Sequence, residues 1–325
     1  MSESAIDVEL LQRFEAGLDP RHPERSAVPA RVLGYGEIST VFAIDAPGAA
    51  GWALKRMPMF RDEVEAQAYE ALYHEYVRAL VERIGLRVAA GDTVRVADPA
   101  AGRVVLYIVQ ERLSPDAIGH RAIHRLPPAE VARLAWAVLQ HCRLVFDFSR
   151  EHRGILELGL DGQISNWAIA GFDPSAGALP PTLELSYLDT STPLMRRDGR
   201  EQLEPELLMR SAPSFTLWLL RRAFLPEVMT RYYDFRRVAM DLVANFYKEG
   251  LPELVPELVE TVNRFFVDEL REGGFKLLTV SEIEGYYRFD ALTWRVFLAL
   301  RKLDRWLQEV RGGTYPYTLP DKIAR

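Results

Sequence analysis

At 325 residues, with 48% hydrophobic and 26% charged side chains, the chain has the composition of one large or two modest globular domains, neither disordered nor membrane-embedded. A formal net charge of −6 offers no basic field to a polyanion, which sets nucleic acid and acidic membrane surfaces aside as partners. The one cysteine, Cys142, excludes an internal disulfide, argues against a structural zinc and fits a reducing, cytoplasmic setting.

From Met1 to about Arg25 the chain is acidic and then proline-punctuated, so no signal peptide is expected there. No apolar run reaches the length of a bilayer crossing. Ala30 to Leu33, Thr40 to Ile44 and Gly51 to Met57 have the patterning of strands, Arg61 to about Ile84 that of a helix, and Val88 to Val96 and Arg103 to Gln110 those of two further strands. The pattern then changes. Pro128 to Ser149 carries Val131, Leu134, Val138, Cys142 and Val145 at helical spacing, short β-like runs follow within Gly154 to Ile169 and Thr182 to Leu188, and the chain beyond Glu204 reads as helical. In the last helix Leu292, Val296, Leu300, Leu303, Leu307 and Val310 form one stripe, expected to face a core, with Gly312 and Gly313 ending it. The organisation expected is an N-terminal extension (1–26), a small lobe (27–113) and a larger helical lobe (114–325).

Gly34-Tyr35-Gly36-Glu37-Ile38-Ser39 lies between two predicted strands, where small residues let backbone amides approach a triphosphate. By itself this is an ordinary hairpin turn. Trp52-Ala53-Leu54-Lys55 follows on the next strand, however, at the distance at which protein kinases carry the lysine that reaches the α- and β-phosphates. It is neither a Walker loop nor a Rossmann fingerprint, because a strand follows the glycines. On the following helix Val64, Ala68, Ala71, Glu75 and Ala79 fall on one face, so Glu75 is an acid in an apolar stripe and the expected partner of Lys55. At the edge of that stripe it would meet only solvent.

Asp161-Gly162-Gln163-Ile164-Ser165-Asn166 leading into Trp167-Ala168-Ile169 resembles the kinase catalytic loop, and Leu185-Ser186-Tyr187-Leu188-Asp189 resembles the strand that delivers a metal-binding aspartate. Over roughly Val32 to Pro193 the chain is similar to the protein-kinase-like superfamily, nearest its aminoglycoside phosphotransferase and choline kinase branch. The resemblance implies an α+β, two-lobed fold, with a five-stranded antiparallel β lobe carrying one helix and a larger, mainly helical lobe. It implies ATP and Mg²⁺ as cofactors, Asp161 as catalytic base together with Lys55 and Glu75, and Asn166 and Asp189 as metal ligands. Gly34, Gly36, Ser39 and Lys55 would hold the nucleotide, with the base on the interlobe segment at Glu111 and Leu113. The implied activity is transfer of the γ-phosphoryl of ATP to a hydroxyl of an unidentified small molecule, with AMP transfer as a variant of the same fold.

Departures from the pattern support a second reading. The histidine usual two positions before the catalytic aspartate is Gly159, Asp189 is followed by Thr190-Ser191 and not Phe-Gly, and no Ala-Pro-Glu follows. That reading is a kinase-fold pseudoenzyme or regulator acting through a protein partner. Asp-Gly is also a hairpin signal, so Asp161 could occupy a turn between Ile155–Leu160 and Gln163–Ile169. The arginine and aromatic clusters at Arg221-Arg222, Arg231 to Arg237 and Tyr286 to Arg288 read as core packing with a charged face, or more sharply as an acceptor pocket.

Overall fold

A computed structural model describes residues 6–36, 38–98, 102–213, 230–270 and 274–320; Arg221 and Arg222 lie outside them. The small lobe is built on strands β1 (Ala30–Tyr35), β2 (Thr40–Ile44), β3 (Trp52–Phe60), β4 (Gly91–Asp98) and β5 (Arg103–Glu111), in the antiparallel order β1-β2-β3-β5-β4. The strand expected from Val88 begins later, at Gly91. Val88 instead forms a lone bridge to Tyr187 of the large lobe.

Period-two alternation gives the sheet two apolar faces. On one, Phe42, Leu54 and Tyr107 bury Leu10, Leu11 and Phe14 of helix α1 (Val8–Ala16), so the expected N-terminal extension contributes to the small lobe's core. On the other, Met57, Leu106 and Ile108 pack with Tyr69 and Tyr73 of helix α2 (Glu63–Arg78). Asp62 caps α2, its carboxylate accepting the Glu65 N–H at 2.9 Å. The buried face of α2 is Ala66, Tyr69, Tyr73 and Tyr76, whereas Val64 is 75% exposed. The alanine stripe chosen from the sequence therefore has the wrong phase, because three tyrosine rings bury far more area than alanine methyls and set the helix's rotation.

The large lobe comprises α3 (Gly119–Ala122), α4 (Pro128–Glu151), α5 (Pro205–Met209), α6 (Phe235–Lys248), α7 (Val255–Glu269) and α8 (Val280–Val310) among the described residues. Val131, Leu134, Val138, Cys142 and Val145 of α4 are buried, as their spacing predicts, in a core shared with α6 and α7. Short strands fill the space beneath the small lobe. β6 (Leu156–Leu158) pairs with β9 (Met195–Arg197), which also pairs with β10 (Arg200–Glu201), and β7 (Trp167–Ile169) pairs with β8 (Leu185–Tyr187).

Helix α8 departs from expectation. Leu292, Val296, Leu303 and Val310 of the anticipated core stripe are exposed, and the buried positions are Ile283, Ala291, Leu298 and Arg301. Tertiary contact decides the phase: Leu298 packs with Tyr315, Tyr317 and small-lobe residues. After α8 the segment Tyr315–Leu319 returns to the small lobe, where the buried Thr40 hydroxyl donates to the Thr318 carbonyl at 3.3 Å.

Candidate active site

The glycine turn joins β1 to β2, with Tyr35 paired to Thr40 and the Gly36 N–H donating to the Ser39 carbonyl at 2.9 Å. A Cβ on Gly36 would lie 2.7 Å from Ser39 Oγ, so a side chain there would displace the Ser39 hydroxyl. A Cβ on Gly34 would meet nothing within 4 Å; its flank stands open. Ile38 is buried and anchors the loop from below.

Beneath the loop is a cleft of about 660 Å³. It is lined by Gly34, Gly36, Ser39, Lys55, Glu111, Leu113, Asp161, Asn166 and Asp189, so one cavity gathers every anticipated site residue except Glu75. Lys55 points from β3 into it, because Leu54 and Arg56 on either side take the opposite face. Its Nζ donates to Asp189 Oδ1 at 2.9 Å and to Ser191 Oγ at 3.1 Å, and Ser191 Oγ donates to the same carboxylate at 2.8 Å. Burial would raise the Asp189 pKa, but Lys55 and then Ser191 more than offset it and hold the carboxylate below its usual range.

The expected Lys55–Glu75 pair does not form. Glu75 is paired with Arg197 at the surface, a consequence of the tyrosine-set rotation of α2. Ser191, which the sequence presents only as a departure from Phe-Gly, supplies the extra contact to Lys55.

β7 and β8 place the other two groups. Leu188 N–H donates to the Asn166 carbonyl at 2.8 Å, so Asn166 and Asp189 stand at neighbouring strand ends. Asn166 Nδ2 donates to the Asp161 carbonyl at 3.2 Å, which directs the amide oxygen elsewhere. Asp161 is not in a hairpin turn, since β6 pairs with β9 and not with β7. Its Oδ1 accepts the Gln163 N–H at 3.0 Å, and its own N–H donates to the Tyr187 hydroxyl at 3.2 Å. A Cβ on Gly162 would lie 2.5 Å from Val238 and 3.2 Å from Cys142, so glycine there lets the loop seat against α6 and α4. Gln163 holds the loop from its far side: its Nε2 donates to Asp241 at 2.9 Å and its Oε1 accepts from Asn245 at 3.0 Å. Nothing local in the sequence links Gln163 to residues so distant. Burial, then the charges of Asp241 and Asp189, push the Asp161 pKa up to about 8, against an opposing pull from Arg231.

At the opposite end the cleft meets the interlobe segment. Lys55 is in register with Ile108, and from Ile108 to Leu113 the chain advances about 17 Å at strand pitch. Arg112 N–H is taken by the Gly51 carbonyl at 2.7 Å. Among the described residues no cluster of three or more His, Cys, Asp or Glu side chains forms a metal cage. Asp189 and the Asn166 amide oxygen are two hard donors beside a nucleotide-sized cleft. They suit a Mg²⁺ whose remaining ligands are phosphate and water better than a protein-enclosed ion. No helix among the described residues is long and apolar enough to cross a membrane.

A family model described as a family of unknown function (DUF6206) matches residues 21–305. No curated protein matches the chain. Among solved structures, WaaP in complex with acyl carrier protein aligns at 16% identity and a TM-score of 0.31, over 71% of this chain and 90% of its own. The GDP and kanamycin complex of APH(2")-IIia aligns at 10% identity and a TM-score of 0.34, over 81% of this chain and 100% of its own. The architecture here has the two-lobed order anticipated from the sequence: a glycine turn, a strand lysine, one helix, two strands, then a large lobe that brings Asp161, Asn166 and Asp189 to the cleft.

Proposed function

We propose that this chain, which belongs to the family of unknown function DUF6206, is an ATP-dependent phosphotransferase whose acceptor is a hydroxyl of a small molecule. The observation that carries the proposal is the single cleft uniting the glycine turn, the Lys55–Asp189 pair and the Asp161–Asn166 loop.

In this reading the base of the nucleotide lies on the Glu111–Leu113 segment and the phosphates run toward Lys55 under Gly34 and Gly36. Lys55 leaves Asp189 for the phosphates, a short side-chain swing for a flexible ammonium. Asp189 and Asn166 would hold Mg²⁺, which when bound neutralises charge on the β- and γ-phosphates. Asp161 accepts the proton of the acceptor hydroxyl as its oxygen bonds to the γ-phosphorus and the bond to the β-γ bridging oxygen breaks, leaving ADP. Burial and the nearby Asp241 and Asp189 carboxylates raise the proton affinity of Asp161 above that of an ordinary carboxylate, and a cation held at Asp189 would lower it again. Tyr187 and Gln163 fix the position of Asp161.

Asp161→Asn tests this reading. The variant should bind ATP nearly as well as the wild type and turn it over at least about 100-fold more slowly, against water if no acceptor is known. A wild-type turnover rate in the variant would remove Asp161 from the chemistry.

One observation favours the alternative, a kinase-fold regulator that acts through a protein partner: Lys55 has no acid from α2, since Glu75 is held by Arg197. An unchanged melting temperature at millimolar Mg-ATP would favour that alternative.

A further inference from the structure

Lys55 lacks the acid expected from α2, because Glu75 turns outward to Arg197, yet α2 reaches the lysine by another route. Tyr69, 3% exposed, lies on the buried face of α2, where it packs with Met57 and Phe60 of β3, the strand that carries Lys55. The ring centres of Tyr69 and Phe60 are 5.1 Å apart. Its hydroxyl donates to the Ser191 carbonyl. One side chain of α2 therefore joins the lysine strand to the segment just after Asp189.

Ser191 is itself buried and meets both members of the ion pair. Its Oγ donates to Asp189 Oδ1 at 2.8 Å and accepts from Lys55 Nζ at 3.1 Å, while Lys55 Nζ reaches the same carboxylate oxygen at 2.9 Å. A hydroxyl has one proton and two lone pairs, so it serves carboxylate and ammonium at once. An acid in this place would add a second negative charge beside Asp189 and hold Lys55 harder. A neutral hydroxyl orients both groups without adding to that hold, which suits a lysine that must exchange its carboxylate for phosphate oxygens.

We infer that Ser191, set in place by Tyr69, is the positioning residue that links α2 to Lys55 and Asp189 in place of an acid; the inference rests on the phosphotransferase reading. When Lys55 moves to the phosphates, the Ser191 hydroxyl stays on Asp189 and keeps the carboxylate from rotating. Mg²⁺ tolerates little departure from octahedral geometry, so a carboxylate held by such a partner binds it better than one free to turn. Ser191 thus acts through Asp189 and Lys55, at the phosphate end of the cleft, and has no part in holding the base.

The test is titration calorimetry of a non-hydrolysable ATP analogue over a series of Mg²⁺ concentrations, with adenosine as the phosphate-free probe, on the full-length wild type, Ser191→Ala and Tyr69→Phe. The Mg²⁺ midpoint for analogue binding should rise about 10- to 100-fold in Ser191→Ala. It should rise less in Tyr69→Phe, which keeps the ring and loses the hydroxyl, while adenosine binds both variants within about 2-fold of the wild type. A purely structural role would weaken adenosine and analogue alike and leave the midpoint in place; that result, or an unchanged midpoint in Ser191→Ala, overturns the inference. An unchanged midpoint in Tyr69→Phe alone overturns the link to α2. If Ser191→Ala does not fold, Ser191→Cys decides, because a thiol is close in size to the hydroxyl and a weak donor. A wild type that binds neither analogue nor adenosine removes the phosphotransferase reading and this inference together, whereas analogue binding whose Mg²⁺ dependence is absent, or unchanged in the variants, removes this inference alone.

Discussion

His120 lines the cleft just beyond the interlobe segment, and its Nδ1 is buried without a hydrogen-bond partner among the described residues. Burial lowers its pKa to about 4 from an ordinary 6.5, and the neighbouring charges of Lys248, Arg121 and His124 act in the same direction. Between those values the unfolded chain binds a proton that the folded chain refuses. The stability this ring contributes is therefore complete above the unfolded value of 6.5 and is lost as pH falls toward 4, by about 3 kcal/mol at most. Urea midpoints measured between about pH 7 and pH 5 should fall more steeply for the wild type than for His120→Gln. Parallel slopes for the two proteins would contradict this.

Between elements the most consequential contact is an ion pair that docks α1 on the sheet. Arg56 of β3 and Glu15 of α1 are both 4% exposed at the side chain. Arg56 Nε donates to Glu15 at 2.8 Å and Nη1 to the Pro316 carbonyl at 2.5 Å, while Tyr107 donates its hydroxyl to the same carboxylate. One arginine thus ties both ends of the described chain to the strand that carries Lys55. Removing one partner strands a buried charge, so Arg56→Met should cost about 3–5 kcal/mol, and the double replacement Glu15→Gln with Arg56→Met should cost much less. Denaturant midpoints check this, and a double variant as unstable as the single one would refute it. The same contact shows what could be read in advance. The five strands and α4 follow from local periodicity, the turn glycines and Lys55 from their spacing, and Asn166 and Asp189 from the resemblance of their segments to kinase loops. The phases of α2 and α8 depend on what packs against them: the ring area of Tyr69, Tyr73 and Tyr76 in one case, the returning Tyr315–Leu319 segment in the other. Pairings such as Arg56–Glu15, Glu75–Arg197 and Gln163–Asp241 join residues that no periodicity connects, and for that reason the acid chosen for Lys55 was wrong while its position in the cleft was right.

At the scale of the molecule, α2 is the seam between the lobes. The Tyr69 hydroxyl donates to the Ser191 carbonyl and that of Tyr76 to the Gly159 carbonyl at 2.8 Å, so α2 grips the chain two residues after Asp189 and two residues before Asp161. Arg210 of the large lobe forms a forked pair with Glu65 of α2, and Arg197 holds Glu75. On the opposite side the Tyr315–Leu319 segment straps α8 to the small lobe. With both sides tied, nucleotide binding is expected to proceed by side-chain rearrangement at Lys55 and Asp189 and not by a wide swing of the lobes. The most direct measurement is a crystal structure of the full chain grown with Mg²⁺ and a non-hydrolysable ATP analogue. The account predicts Lys55 transferred from Asp189 to the α- and β-phosphates, a metal between Asn166 and Asp189, and the γ-phosphate directed at Asp161. A cleft without nucleotide at saturating analogue, or a nucleotide whose phosphates point away from Lys55 and Asp161, would contradict it.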